Sequence, residues 1–211
     1  MANNILDSIL DLIFPPRCEV CGKSGPSALC PECFSGIKFL KPQYGIHCAA
    51  LYDGAVRTAL HRFKFQKRKN LAEPLGILLV NYLGQAAALK MKELDSIVPV
   101  PLHRRRQRQR GFNQIELLAR VIARYYELPV VASLERVKDT RPQFGLQKEA
   151  RLLNLRGAFR VSRPQDVHDK RLLLLDDVYT TGATVAECAK ALSGAGARRI
   201  EVLTLSRAVV D

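Results

Sequence analysis

Leu172-Leu173-Leu174-Leu175-Asp176-Asp177-Val178-Tyr179-Thr180-Thr181-Gly182-Ala183-Thr184 is the stretch that decides the fold. Four consecutive leucines suit a central strand covered on both faces. Two acids at such a strand's carboxyl end lie where open α/β sheets bind ligands. Thr180 to Thr184 form a small loop opening a helix, with backbone N–H groups and hydroxyls that suit a phosphate. A carboxylate repels phosphate but accepts hydrogen bonds from sugar hydroxyls. Acids for a ribose beside a cradle for its 5′-phosphate imply a ribose-5-phosphate ligand. The same residues would also serve an ordinary strand end with a solvated acid pair and a helix cap. The ordered combination favours the ligand.

This segment resembles the phosphoribosyl pyrophosphate (PRPP) motif of type I phosphoribosyltransferases. The resemblance implies that Asp176 and Asp177 contact the ribose hydroxyls. It also implies that Thr180, Thr181, Gly182, Ala183 and Thr184 wrap the 5′-phosphate.

The chain has 211 residues, 47% of them hydrophobic, enough for one full core and a small appendage. Lys and Arg total 33 against 20 Asp and Glu, a formal net charge of +13. That excess points to polyanionic partners without choosing among nucleic acid, anionic membrane and phosphorylated ligands. No segment is apolar for long enough to span a bilayer as a helix. In Met1 to Phe14, the residues Ile5, Leu6, Ile9, Leu10, Ile13 and Phe14 share one face of an expected helix, which Pro15-Pro16 stops. Early positive charge and a small-residue cleavage site are both missing there, so the reading is a cytoplasmic protein.

Cys18-Glu19-Val20-Cys21-Gly22 and Cys30-Pro31-Glu32-Cys33 are two Cys-x-x-Cys knuckles with eight residues between them. Each supplies two of the four soft ligands that a tetrahedral zinc site needs. Two disulfides are the alternative, disfavoured in a cytosolic chain. So short a segment also has too little core to fold without metal. Cys18, Cys21, Cys30 and Cys33 are therefore the candidate ligands of a structural zinc, since four cysteines leave no open position for substrate. Cys48 and Cys188 read as small core residues, with a redox-sensitive thiol as the alternative at Cys48.

Beyond Leu51, helices are expected over Gly54 to Phe65, Glu73 to Lys90, Gly111 to Tyr126 and Ala183 to Ser193. Strands are expected over Asp95 to Pro99, Pro129 to Ala132, Gly157 to Val161, at Leu172, and over Arg199 to Leu205. This alternation indicates a doubly wound, mostly parallel α/β sheet. The expected division is 1–48 for the N-terminal helix and zinc module, and 49–211 for the sheet domain. Five arginines in the seven residues Arg104 to Arg110 read as a basic loop leaving a strand's carboxyl end, where Arg suits an anion. The basic run Arg57, Arg62, Lys64, Lys67, Arg68, Lys69, interleaved with Phe63 and Phe65, reads as a candidate single-strand surface. A solvated face with the two rings in the core is the alternative. Lys64, Lys67 and Arg68 are its named candidates for binding nucleic acid.

The whole chain is similar to the ComF/ComFC family of competence-associated, phosphoribosyltransferase-like proteins. The resemblance rests on the knuckles, His61-Arg62-Phe63-Lys64-Phe65, Val98-Pro99-Val100-Pro101-Leu102, Arg110-Gly111-Phe112-Asn113-Gln114, Thr140-Arg141-Pro142-Gln143, Arg151 to Phe159 and the acid pair with its loop. It implies that Pro101, Leu102, His103 and Arg104 bind the pyrophosphate of PRPP, which carries Mg²⁺. It implies a mobile loop near Lys138 to Lys148, with Gly145 as its hinge. It further implies a role with single-stranded DNA during natural transformation, alongside a competence helicase or channel protein. An active phosphoribosyltransferase of nucleobase or nucleotide salvage is the alternative. Purine-type relatives carry an Asp where this chain has Thr180, and orotate-type relatives carry Thr. No catalytic residue is named by the sequence.

Overall fold

A computed structural model describes residues 15–42, 46–85, 89–139 and 154–208. The segment Met1 to Phe14, the motif Thr140 to Gln143 and most of the loop expected over Lys138 to Lys148, with Gly145, lie outside the described residues. In chain order the main elements are α1 (Pro31–Ser35), β1 (Ile46–Leu51), α2 (Gly54–Phe65), α3 (Ala72–Gln85), β2 (Ser96–Pro99), α4 (Arg104–Arg110), α5 (Gln114–Tyr126), β3 (Leu134–Arg136), β4 (Phe159–Val161), β5 (Arg171–Tyr179), α6 (Ala183–Gly194) and β6 (Arg199–Arg207).

The central sheet is wholly parallel, in the order β1-β6-β5-β2. The four leucines occupy its middle. Leu172 pairs with Ser96 on one side and Ile200 on the other. Strand side chains alternate between faces, so Leu173 and Leu175 join one core with Ile97, Leu203 and Leu205. Leu172 and Leu174 join a second with Val98 and Cys188. Each leucine is fully buried, worth about 1.5–3 kcal/mol apiece. Helices α2, α3 and α5 cover the first face, and α6 with the antiparallel β3–β4 ribbon covers the second. α3 and α5 approach closely at Gly76, where a Cβ would lie 2.5 Å from the Val121 side chain.

The cysteine segment packs on this body. Leu29 and Ile37 are buried in the same core as Leu60, Phe63 and Leu203. β1 runs without a break across position 48/49.

Several elements differ from the sequence reading, and β3 is a further short strand that it did not expect. β1 was not anticipated; Cys48, Ala49 and Ala50 are all buried, so no polar alternation marks the strand. The arginine run is a helix, because Arg and Gln are good helix formers and His103 caps it. Gly111, at φ +84, closes α4 in the left-handed conformation. Asn113 then caps α5, its side chain accepting from the Ile115 N–H at 3.0 Å, so α5 starts at Gln114. The expected strand over Pro129 to Ala132 is a single parallel bridge, Val130 to Ile97. Of the helix expected over Glu73 to Lys90, α3 (Ala72–Gln85) is described, residues 86–88 lie outside the described residues, and a 3₁₀ turn at Met91–Glu93 follows.

Candidate functional site

An open pocket of about 990 Å³ lies at the carboxyl edge of the sheet. Leu51 at the end of β1, Val100 after β2, Asp176 and Asp177 in β5, and Ala208 after β6 all line it. The period-two rule that splits the leucines also splits the acids. Asp177 follows Leu175 onto the α2–α5 face; Asp176 follows Leu174 onto the other.

Asp177 is held from its own side. Lys64 Nζ, on α2, lies 2.7 Å from its Oδ1, and Gln114 Nε2, on the first turn of α5, donates to its Oδ2 at 2.6 Å. Arg110 in turn donates to the Gln114 side-chain carbonyl. Asp176 Oδ1 accepts from the Asp177 N–H at 2.8 Å. Burial, and then the neighbouring Asp177 carboxylate, pushes Asp176 up to about 7, with Lys64 and Arg136 acting in the opposite direction. Burial also lowers the guanidinium pKa values of Arg110 and Arg136.

The loop after β5 meets the requirements of an anion cradle. Thr180 and Thr184 line the pocket. Gly182, at φ +79, is the N-cap of α6 and has no side chain to cap it, so the positive end of the helix dipole opens toward the pocket without a side-chain oxygen over it. A Cβ on Gly182 would lie 2.5 Å from Tyr179 Oη, so a larger residue there would strain the backbone and displace the Tyr179 ring. Thr181 Oγ1 is buried with no hydrogen-bond partner among the described residues, and Ala183 is buried.

The residues read as pyrophosphate-binding divide. Pro101 and Leu102 line the pocket. His103 caps α4 and faces Asp139 at 3.3 Å, and Arg104 is exposed outside the pocket lining. Arg106 and Arg110, one helical turn apart, enter it instead. That spacing was in the sequence, hidden by reading the run as a loop. Arg136, on β3, lines the pocket with its guanidinium carbon 5.6 Å from the Phe159 ring centroid; no sequence signal marked it.

The three cations read as nucleic-acid-binding also point apart. Lys64 is on Asp177, Lys67 lines the pocket mouth, and Arg68 Nε lies 3.5 Å from Glu19 Oε2. Phe63 is fully buried in the core and cannot stack on a base. Phe65 is 67% exposed, with the His61 ring 5.0 Å away and Arg110 over its face at 5.7 Å.

The four cysteines of the knuckles converge, their sulfurs all within 4.8 Å of one another. Zinc–thiolate bonds of about 2.3 Å in a tetrahedron place sulfurs about 3.8 Å apart, and Cys21 Sγ to Cys30 Sγ is 3.7 Å. The Val20 and Cys30 N–H groups donate to Cys18 Sγ, each at 3.4 Å. Burial raises the Cys18 thiol, but these and other hydrogen bonds outweigh it and bring it down to about 6. Gly22, at φ +78, makes the turn after Cys21. The donor set fits zinc in a closed, structural site. Among the described residues, no helix is long and apolar enough to cross a membrane.

Residues 9–59 match the family model of a double zinc ribbon domain. The DNA utilization protein YhgH of Escherichia coli (strain K12) is 32% identical over 205 residues, covering 90% of this chain and 89% of that protein. Competence protein F of Haemophilus influenzae is 37% identical over 154 residues, 71% of this chain and 66% of its own. Competence protein ComFC of Streptococcus pneumoniae is 29% identical over 203 residues, 95% and 85% of the two chains. Among solved structures, the glutamine PRPP amidotransferase from B. subtilis is similar with a TM-score of 0.48 and 19% identity, over 70% of this chain but only 30% of the amidotransferase. The purine phosphoribosyltransferase from Pyrococcus horikoshii Ot3 gives a TM-score of 0.39 at 16% identity, covering 65% of this chain and 86% of that one. On its relatives' identity and coverage, the chain belongs to the ComF/ComFC family of competence and DNA utilization proteins.

Proposed function

We propose that the pocket binds PRPP or a related ribose 5-phosphate, and that the protein uses this site while handling single-stranded DNA during natural transformation, in the cytoplasm. The observation that carries the ligand is the buried acid pair at the end of β5, opening on the same pocket as the uncapped start of α6. Asp176 and Asp177 take the ribose hydroxyls. Thr180 to Thr184 take the 5′-phosphate, through N–H groups at a positive helix end. Arg106 and Arg110, with Pro101 and Leu102 as the facing wall, take the pyrophosphate, as planar guanidinium groups suit it. Mg²⁺ arrives on the ligand and screens its pyrophosphate charge; the carboxylate oxygens here are donors of the kind it accepts.

Calorimetry with Mg²⁺ and PRPP tests this. Wild type binds, and Asp176→Asn/Asp177→Asn loses the binding. A folded, zinc-loaded wild type that binds no PRPP overturns the reading.

For DNA, the supporting features are the net charge of +13 and the pocket rim, where Arg57, Phe65 and Lys67 stand exposed. Stacking on Phe65 beside two cations suits a single strand. Arg57→Ala/Phe65→Ala/Lys67→Ala should weaken salt-sensitive binding of a single strand, with unchanged affinity counting against this surface. A change of Lys64, Lys67 and Arg68 together would be harder to interpret, because Lys64 and Arg68 hold Asp177 and Glu19.

Transfer to an acceptor, as in nucleotide salvage, is the second reading. The pocket volume favours it, since about 990 Å³ leaves room beside a phosphoribosyl group. It predicts base-dependent pyrophosphate release that Asp176→Asn/Asp177→Asn abolishes. A broad nucleobase screen without release would reject it.

A further inference from the structure

Lys64 sits on Asp177 at 2.7 Å, with both side chains largely buried. It belongs to the last turn of α2, and this turn is gripped on its other side by the cysteine module. Glu19 lies between the knuckle cysteines Cys18 and Cys21, and its N–H donates to the Ala28 carbonyl at 2.8 Å, fixing it to the module. Its carboxylate, 13% exposed, faces Arg62 Nη1 at 3.8 Å and Arg68 Nε at 3.5 Å. Asn70 Nδ2 donates to it at 3.0 Å. The Arg62 carbonyl accepts from the Gln66 and Arg68 N–H groups, at 3.0 and 3.4 Å, closing the helix end between the two gripped arginines. Phe63, wholly buried between Arg62 and Lys64, stops the turn from rotating.

We infer that the cysteine module positions the acid pair through this turn: Glu19 holds it, and Lys64 carries it onto Asp177. Lys64 and Glu19 are positioning residues, and the inference rests on the phosphoribosyl reading of the pocket. Two adjacent carboxylates repel a polyanion, and an ammonium on one of them offsets that repulsion without removing the acceptor oxygens. Lys64 thus lets a single strand end both accept sugar hydroxyls and tolerate phosphates nearby. The module sets where that ammonium stands.

The test measures Mg²⁺-PRPP affinity and hydrogen exchange of residues 62–68 in the full, zinc-loaded chain. Lys64→Met should weaken PRPP by about 30-fold, and Lys64→Arg should recover all but about threefold of that. Glu19→Gln, with zinc content unchanged, should weaken PRPP about fivefold and speed exchange across residues 62–68. Lys64→Arg binding as poorly as Lys64→Met would overturn the charge role. Glu19→Gln that alters neither affinity nor exchange would overturn the link to the module. Faster exchange in Glu19→Gln, in a chain whose wild type binds no PRPP, would reject the ligand and keep the mechanical link.

Discussion

The cysteine module and the β5–α6 segment reach order by opposite routes. In the module, α1 buries no residue of its own, and the chain is gathered by four sulfurs within 4.8 Å. In β5, each leucine is buried on one face of a sheet already paired on both sides, and no metal is needed. The first is order imposed by a ligand set; the second is order imposed by packing. The contrast has a limit, because Leu29 and Ile37 extend the module into the main core and Glu19 ties it to α2. We propose the division at 48/49 as a functional one, with a shared core beneath it.

The largest effect should come from cutting the metal site. Cys30→Ser releases the zinc and withdraws Leu29 and Ile37 from the core, a loss of about 4 kcal/mol that lowers Tm by about 10 °C. The sheet still unfolds cooperatively. An unchanged Tm would make the module independent of the core; loss of the whole transition would erase the division.

Gly182→Val strikes the packing-built site. At φ +79, with Tyr179 Oη in the way, the valine distorts the loop at a cost of about 2–3 kcal/mol, and PRPP affinity falls about 100-fold. Zinc content stays at the wild-type level. Wild-type PRPP affinity in this variant would remove the loop from the site.

Gly76→Ala probes packing where no ligand is involved. The methyl meets Val121, and the α3–α5 contact must open, lowering stability by about 2 kcal/mol in denaturant titration. A neutral result would show this face more plastic than its density suggests.

The smallest effect is a gain. The raised pKa of Asp176, from 3.8 to about 7, means the folded state favours the protonated acid. Its contribution is full below about pH 4 and is lost as pH rises through about 7. Asp176→Asn should therefore raise Tm at pH 7.5 by about 3 °C and flatten this part of the pH–stability curve. A lower Tm at that pH would mean the carboxylate is stabilising, and the site is not strained by its charge.

Much of this was legible in the sequence because period and spacing carry it. Leu172 to Leu175 announced a doubly covered strand, and the knuckles announced converging sulfurs. What escaped were contacts between segments far apart in the chain. Lys64 and Asp177 meet only because α2 and β5 pack on one face. Gln114 lay in a quoted motif, but its reach to Asp177 needed the Asn113 cap. β1 had no alternation to read, since both of its faces are buried.

The most direct test of the proposed ribose-5-phosphate site compares ribose 5-phosphate with 2-deoxyribose 5-phosphate by calorimetry. The two share the phosphate and differ by one hydroxyl, which the proposed binding mode turns toward the acids. Ribose 5-phosphate should bind about tenfold more tightly, the worth of one hydrogen bond to a carboxylate. Equal affinities would show that Asp176 and Asp177 do not read the sugar, and would contradict the account.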